Sequence, residues 1–127
     1  MNQEQPVLIR TKSKPNIEKT VKIIALAAAA KQAGDLKVLD IRKTSCLFDF
    51  FIIGSAESTP QLQAITKEVD KALRSNNIKG FRWQGVSSSG WLVLDLGNIV
   101  IHLMGTKERE YYRLEELWEK EAIIYHY

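Results

Sequence analysis

A continuous apolar run, Phe50 to Ile53, most constrains how this chain can fold. A strand with one face in water alternates apolar and polar residues, whereas a strand covered on both faces can be apolar throughout. Shortly after the run, Ser58 and Gln61 have the spacing of a capping box, with Pro60 in the first turn of the helix. A buried strand that leads directly into a helix predicts an α/β domain with helices packed on a sheet.

A first and a last helix are predicted on either side of this unit. Asn16 can cap the first helix, and Gly34 is placed to supply the left-handed residue that ends it. Near the other end, Thr106 can cap the last helix, and Glu108 in its first turn interacts favourably with the helix dipole. The last helix is expected to have one apolar side, formed by Tyr111, Leu114, Leu117 and Trp118.

The remaining strands are short. Residues 36–41 are rich in branched apolar residues, and residues 91–96 and 99–104 flank Gly97-Asn98, which is typical of a tight hairpin. The strand–helix–strand unit over residues 50–84 is expected to be a right-handed parallel crossover, whereas the hairpin is antiparallel. The order αββαβββα predicts a single α/β domain with a mixed parallel and antiparallel sheet and flanking helices.

Charge divides the chain unevenly. The 127 residues have a formal net charge of +3, but residues 1–31 have a balance of +4 and residues 32–127 a balance of −1. The folded part is therefore not expected to have the basic face that is typical of nucleic-acid binders. We expect a flexible basic N-terminal tail over residues 1–15, one folded domain over 16–122 and a C-terminal tail over 123–127.

Several protein classes are excluded by composition. The longest apolar stretch, residues 23–30, is far too short to span a bilayer, and no secretory signal pattern is found. Cys46 is the single cysteine, so no internal disulfide can form, which fits a reducing cytosol. We therefore expect a cytoplasmic protein that does not bind membranes.

Gly54-Ser55 lies where phosphate-binding loops lie, between a predicted strand and a helix N-terminus. It lacks the spacing of a P-loop or a dinucleotide fingerprint, so a tight turn is the preferred interpretation. The same element resembles the start of the nucleotidyltransferase fold, whose enzymes hold metal with neighbouring carboxylates. Asp40, Asp49 and Asp95 are isolated. The expected topology is nucleotidyltransferase-like without the catalytic carboxylates.

Histidine and cysteine form no recognisable set. His102 lies within an apolar strand, and two distant histidines with one cysteine are too few for a zinc site. We interpret His102 as a hydrogen-bonded structural histidine, Cys46 as a half-buried thiol and residues 87–89 as a flexible serine loop. No catalytic residue, metal or cofactor is expected.

Trp91 opens the first strand of the hairpin, and Leu96 ends it. Strand alternation directs these two side chains to opposite faces of the sheet. Trp91 would be largely buried as a core residue, whereas an exposed Trp91 would be a natural interface anchor. The pattern by itself leaves both interpretations open.

Longer stretches of this sequence resemble one known family. They are Asp49-Phe50-Phe51-Ile52-Ile53, Ser58 with Gln61, Gly85, the run from Trp91 to His102, and Arg109-Glu110-Tyr111-Tyr112 with Leu114, Glu115, Leu117 and Trp118. These motifs resemble the ribosomal silencing factor family, also called the Iojap family, over about residues 17–120. Gln84, Asn98 and Pro60 depart from the commonest family pattern, which has Glu, Asp and a basic residue there.

The resemblance implies a non-enzymatic regulator of translation. Such factors bind the large ribosomal subunit through large-subunit ribosomal protein fourteen, block joining of the small subunit and lower translation when nutrients are short. Trp91 and Leu96 match family positions that contact this ribosomal protein, and we extend the expected contact surface to Tyr112. Residues 106–122 hold six acidic and four basic residues, which suits a basic partner.

Three alternatives stay open. An enzyme of the nucleotidyltransferase type would need a carboxylate cluster, and an RNA-binding protein acting through its basic tail would need residues 1–15. A surface built for a partner can also pair with a second copy, so a homodimer is compatible with the sequence. Direct sequence-specific binding to nucleic acid is not expected.

Overall fold

Six strands form one sheet, and two long helices cover one of its faces. The computed structural model describes residues 16–118 and 120–127. The helices are α1 (Ile17–Ala30), α2 (Thr59–Ser75) and α3 (Thr106–Tyr112), and 3-10 turns are formed by Ser87–Ser89 and Leu114–Leu117. The strands are β1 (Gly34–Asp40), β2 (Phe50–Ala56), β3 (Arg82–Gln84), β4 (Trp91–Asp95), β5 (Ile99–Gly105) and β6 (Ile123–His126).

The strand order across the sheet is β3-β4-β5-β2-β1-β6. The central strands β2 and β5 pair in parallel, and all other neighbours are antiparallel, including the predicted β4–β5 hairpin. β3 runs in the same direction as β2, as the crossover requires, although β5 and β4 lie between them. The predicted α/β class with a mixed sheet is confirmed.

β2 is apolar because it is buried on both faces, as its sequence predicts. Phe50 and Ile52 pack with α1 and α2 on the first face of the sheet. Phe51 and Ile53 pack on the second face, in a smaller cluster with Leu39, Ile41 and Met104. The two clusters make β2 the centre of the fold.

Gly54 and Ser55 lie inside β2, so the prediction of a tight turn at this position is wrong. A Cβ at Gly54 would lie 3.1 Å from Leu36 Cδ1 and 3.3 Å from Ala33 Cβ. Ser55 Oγ donates to the Gly34 carbonyl at 3.0 Å. The glycine therefore permits a close approach of neighbouring chain segments within the core.

The predicted caps of the two long helices are confirmed. Asn16 Oδ1 accepts a hydrogen bond from Lys19 N at 3.1 Å, and Ser58 Oγ accepts one from Gln61 N at 3.2 Å. The Gln61 side chain reaches back to Glu57 N at 2.7 Å. The reciprocal bond of the capping box therefore goes to the residue before the cap instead of to Ser58 itself.

The end of α1 differs from the prediction. Gln32, with φ 62°, adopts the left-handed conformation, and Ala33 N donates to the Ala28 carbonyl at 3.1 Å. Gly34 instead begins β1, where a Cβ would lie 2.9 Å from Ser55 Oγ. The glycine is needed for a close contact between strands and not for the helix end.

The last helix is shorter than predicted, because Arg113 adopts a left-handed conformation with φ 48°. Thr106 is the first residue of α3 instead of its cap, and its Oγ1 donates to the Ala56 carbonyl at 3.2 Å. The expected apolar side is divided by this break: Tyr111 and Leu117 are exposed, whereas Leu114 and Trp118 pack on the second face.

The predicted C-terminal tail over residues 123–127 is wrong, because Ile123–His126 form the edge strand β6. β6 pairs antiparallel with β1, and Tyr127 N donates to the Leu36 carbonyl at 2.9 Å. Ile124 packs against the cluster on the second face, which holds the strand in place. The ordered domain therefore extends beyond the predicted boundary at 122.

The predicted N-terminal tail, residues 1–15, lies outside the described residues. Within residues 16–118 and 120–127, no helix has both the length and the apolar character needed to cross a membrane.

Candidate functional site

The second face of the sheet is covered only in part. The 3-10 turn after α3 brings Leu114 and Trp118 against the cluster of Leu39, Phe51 and Met104. Beside them lies a cavity of about 220 Å³ that we call the apolar groove. Its lining residues are Ile41, Phe48, Phe50, Phe51, Trp91, Val100, His102, Leu114, Leu117 and Trp118.

Five rings lead from the core to solvent beside the apolar groove. His102 meets Phe51 edge-on, with ring centroids 4.8 Å apart, and Trp91 lies 5.9 Å from His102. Tyr112 packs on Trp91 at 4.8 Å, and Tyr111 meets Tyr112 edge-on at 4.9 Å. Contacts of this geometry add to the stabilisation that ring burial provides, so each ring helps to fix the next.

Trp91 is half-buried and combines features of the two predicted alternatives. One part of its ring packs against the cluster on the second face, and the ring also lines the apolar groove. Its indole Nε1 donates to His102 Nδ1 at 3.0 Å. Trp91 is thus held rigidly at a position where it can still contact a partner.

His102 is the hydrogen-bonded structural histidine that its sequence context predicts. Burial lowers its pKa from 6.5 to about 4, because the charged imidazolium loses hydration. The imidazole is therefore neutral at pH 7, and because Nδ1 accepts from Trp91, the ring proton is on Nε2.

Tyr112 and Leu96 have different relations to Trp91. Tyr112, at the end of α3, is 50% exposed and covers part of the indole ring. Leu96 follows β4 at the far end of the strand and packs with the first-face core. Two of the three predicted site residues are therefore together, and the third lies on the opposite face, as strand alternation predicts.

A buried ion pair positions the segment that carries Tyr112 and Leu114. Arg109 is 7% exposed, and its Nε and Nη2 donate to Glu115 Oε2 at 3.2 and 3.0 Å. Arg109 Nη1 donates to the Gly34 carbonyl at the start of β1, at 2.9 Å. These bonds connect α3, the following 3-10 turn and β1, so the walls of the apolar groove are fixed to the sheet.

Sequence reasoning missed most of the apolar groove. Val100 was placed only in a strand, His102 was interpreted only as a structural histidine, and Phe48 was not singled out. The hairpin contained a usable signal, because pairing across Gly97-Asn98 puts His102 opposite Val93 and Met104 opposite Trp91. Phe48 and Trp118 line the groove from irregular segments of the chain. The conformation of such segments cannot be predicted from sequence periodicity.

Two smaller predictions also differ from the structure. Cys46 is exposed instead of half-buried. Residues 87–89 form a 3-10 turn, in which Ser89 Oγ donates to the Val86 carbonyl at 2.6 Å. Neither segment contributes to the apolar groove.

In the described part of the chain, no group of three or more His, Cys, Asp or Glu side chains could hold a metal ion. The residues around the apolar groove offer aromatic and aliphatic contact surface instead. Such side chains are enriched at the centres of protein–protein interfaces. The arrangement is suited to binding a protein.

Comparisons with known proteins agree with this picture. A family model described as "Ribosomal silencing factor during starvation" matches residues 14–125. A ribosomal silencing factor from Bacillus subtilis is 36% identical over 103 residues, 81% of this chain and 87% of that protein. A mouse protein named "Mitochondrial assembly of ribosomal large subunit protein 1" is 34% identical over 91 residues, 69% of this chain and 40% of that protein.

Solved structures are similar as well. A crystal structure of a protein from Chromobacterium violaceum superposes with a TM-score of 0.78 at 28% identity, covering 83% of this chain and 88% of that one. Another, from Bacillus halodurans, superposes with a TM-score of 0.71 at 31% identity, covering 84% of this chain and 97% of that one.

Proposed function

Because the chain belongs to the ribosomal silencing factor family, a family of regulators and not of enzymes, we propose that it represses translation in the cytoplasm. In this proposal it binds the large ribosomal subunit through large-subunit ribosomal protein fourteen. The bound protein prevents the small subunit from joining, and translation falls when nutrients are limiting. The observation that carries the proposal is the family match over residues 14–125.

The aromatic surface beside the apolar groove supports binding to a protein. Trp91 and Tyr112 present ring surface that is already ordered by its neighbours, so little side-chain entropy is lost on binding. Large aromatic side chains that become desolvated at the centre of an interface supply much of its binding energy. We propose Trp91 and Tyr112 as the anchors of this contact.

We propose Leu96 as a further contact residue, separate from Trp91 and Tyr112. It lies at the end of the β4–β5 hairpin, five residues from Trp91, which corresponds to about 16 Å along a strand. A partner that contacts both residues would follow the length of the hairpin and reach from the second face to the first at its far end. The acidic balance of residues 106–122 favours a basic surface on that partner.

A second copy of the chain could use the same surface. An isologous dimer would bury Trp91 and Tyr112 of both copies and would compete with the ribosomal protein. Sedimentation equilibrium of the wild type and of Tyr112→Ala tests this use: a dimer of the wild type that the substitution dissociates would support it, and a monomeric wild type would contradict it.

The proposed function is tested by joining purified subunits with and without the protein, followed by sucrose-gradient sedimentation. Saturating protein is expected to leave the large subunit free, with the protein in the large-subunit fraction. If the subunits join normally in the presence of saturating protein, the proposal is wrong. Turnover of a nucleoside triphosphate that depends on a divalent metal would instead favour the enzyme alternative.

Tyr112→Ala and Tyr111→Ala form a matched pair for the contact site. Both tyrosines are exposed, at 50% and 80%, so each substitution is expected to cost less than about 1 kcal/mol of folding free energy. Tyr112→Ala is expected to weaken binding to isolated ribosomal protein fourteen by roughly five- to 150-fold. Tyr111 supports the site only through its edge-on contact with Tyr112, so Tyr111→Ala is expected to weaken binding by less than about two-fold. Equal effects on binding would remove Tyr112 from the site.

Trp91→Ala and Leu96→Ala complete the test. Each is expected to lower binding, but each also removes half-buried surface, at a cost of about 1–3 kcal/mol in the free energy of unfolding. Binding is therefore compared at a temperature at which thermal melting shows each variant to be folded. Unchanged binding by folded Leu96→Ala would restrict the site to the second face.

A further inference from the structure

The side chains of the apolar groove provide hydrogen-bond donors but no acceptor that is free. Among the lining residues that the structure describes, only Trp91, His102 and Trp118 have polar side-chain atoms. Trp91 and Trp118 are donors by chemistry, and the acceptor nitrogen of His102, Nδ1, is taken by Trp91. A partner that covers the groove therefore meets N–H groups within a hydrocarbon surface.

His102 Nε2 is a donor without a partner. Since Nδ1 accepts from Trp91 and the imidazole is neutral at pH 7, the proton is on Nε2. No other described side chain or backbone group hydrogen-bonds to this ring. The only side-chain polar atom that is fully buried without a partner in the described part of the chain is Glu115 Oε1, so Nε2 keeps contact with water.

Docking of a partner removes that water. A donor that loses water and gains no acceptor costs affinity, so a tight complex requires an acceptor at this position. A carboxylate is a poor choice, because its charge would be desolvated among Phe48, Val100 and Leu114. A neutral carbonyl satisfies the N–H at a much smaller desolvation cost.

The size of the groove indicates what accompanies the acceptor. A cavity of 150 Å³ is large enough to hold a benzene ring, and the apolar groove measures about 220 Å³. It has room for one large apolar side chain of a partner. A peptide segment supplies this side chain and a main-chain carbonyl within a few ångströms of each other.

We propose that His102 is a specificity residue: its Nε2–H donates to a main-chain carbonyl of the partner protein, next to an apolar side chain that fills the groove. The proposal rests on the proposed function, since it concerns the same surface and the same partner. It adds the chemistry that the partner segment has to present.

Two substitutions separate this role from mere support of Trp91. In His102→Asn, Oδ1 is as many bonds from Cβ as Nδ1 and can still accept from Trp91, but nothing replaces Nε2–H. In His102→Gln, the amide N–H₂ is as many bonds from Cβ as Nε2 and can donate to the partner, but the acceptor for Trp91 is lost. Isothermal calorimetry with isolated large-subunit ribosomal protein fourteen measures both variants, and thermal melting verifies that they are folded.

Loss of the donor in His102→Asn is expected to weaken binding roughly ten- to 100-fold. His102→Gln is expected to bind at least about five times more tightly than His102→Asn. The reverse order would show that His102 acts only through Trp91 and would overturn the proposal. Ile123→Ala, on the opposite edge of the sheet, is the control. If the wild type itself does not bind, the proposed function fails instead.

A measurement on the unmodified chain keeps the test independent of variant folding. The ¹⁵N-labelled imidazole is observed by NMR with and without the ribosomal protein. The Nε2 proton is expected to become protected from exchange and to shift downfield in the complex, as a donated hydrogen bond requires. An Nε2 proton that still exchanges rapidly in a saturated complex would overturn the proposal.

Discussion

The native structure favours the neutral imidazole of His102, because the ring accepts a hydrogen bond from Trp91 and is largely desolvated. Its pKa is about 4 in the folded protein, against an ordinary value of 6.5. Between these values the unfolded chain binds the proton and the folded chain does not. The free energy of unfolding should therefore be fully retained above pH 6.5 and fall as the pH is lowered towards 4.

Between pH 7 and pH 4.5 the free energy of unfolding is expected to fall by about 2 kcal/mol. This is less than the pKa difference alone would give, because the ring keeps some contact with water. Urea unfolding at a series of pH values measures it. His102→Asn should flatten the curve in this window. A pH dependence that survives in His102→Asn would contradict the assignment.

Local patterns predicted the parts of this fold that have local causes. The unbroken run Phe50 to Ile53 predicted a strand covered on both faces, and Asn16 and Ser58 predicted two helix starts, because a cap is decided within four residues. The predictions failed where the local conformation depends on contacts with residues far away in the sequence. Gly34 is required by a contact with Ser55, and the left-handed Arg113 ends α3 without any glycine to mark it.

The candidate site was predictable to a similar extent. Family resemblance singled out Trp91, Leu96 and Tyr112, but it contained nothing about His102 as a partner of Trp91. That contact depends on the register between β4 and β5 and on rotamers that pack only in the assembled core. The separation of Leu96 from the other two could be predicted, because strand alternation alone requires it.

β6 is the element whose importance the sequence analysis underestimated. Four residues at a sheet edge pair only with β1, and Ile124 is the side chain that anchors them to the second-face cluster. Ile124→Ala is expected to lower the free energy of unfolding by about 1–2 kcal/mol, less than for a fully buried isoleucine. Ile123→Ala, at a position 49% exposed, is expected to cost less than about 0.5 kcal/mol.

Equilibrium urea denaturation of both variants tests this assignment. Equal and small losses would mean that β6 is not held through Ile124. A larger loss for Ile123→Ala than for Ile124→Ala would mean that the two side chains alternate in the opposite sense from the one described.

At the scale of the whole chain, the basic charge is concentrated in the N-terminal segment, and its contribution to binding can be tested. Deleting residues 1–15 removes basic residues and leaves all the described lining residues of the apolar groove in the chain. We expect the deletion to weaken binding to purified large subunits by less than about three-fold, since charges outside an interface mainly affect association rates. Co-sedimentation at low and moderate salt measures this. Loss of binding on deletion, with a steep fall in wild-type affinity as salt rises, would favour RNA binding through the tail.

The pairing of β6 with β1 also has a consequence for synthesis. Residues 37–40 leave the ribosome before residues 123–126, which cover their open edge. Leu114 and Trp118, which line the apolar groove, also follow β1 and β2 in the chain. A nascent chain thus has β1, β2 and α1 long before it has a finished edge or a complete binding surface. The surface proposed for a partner is therefore incomplete until Trp118 has been made and has folded against the sheet.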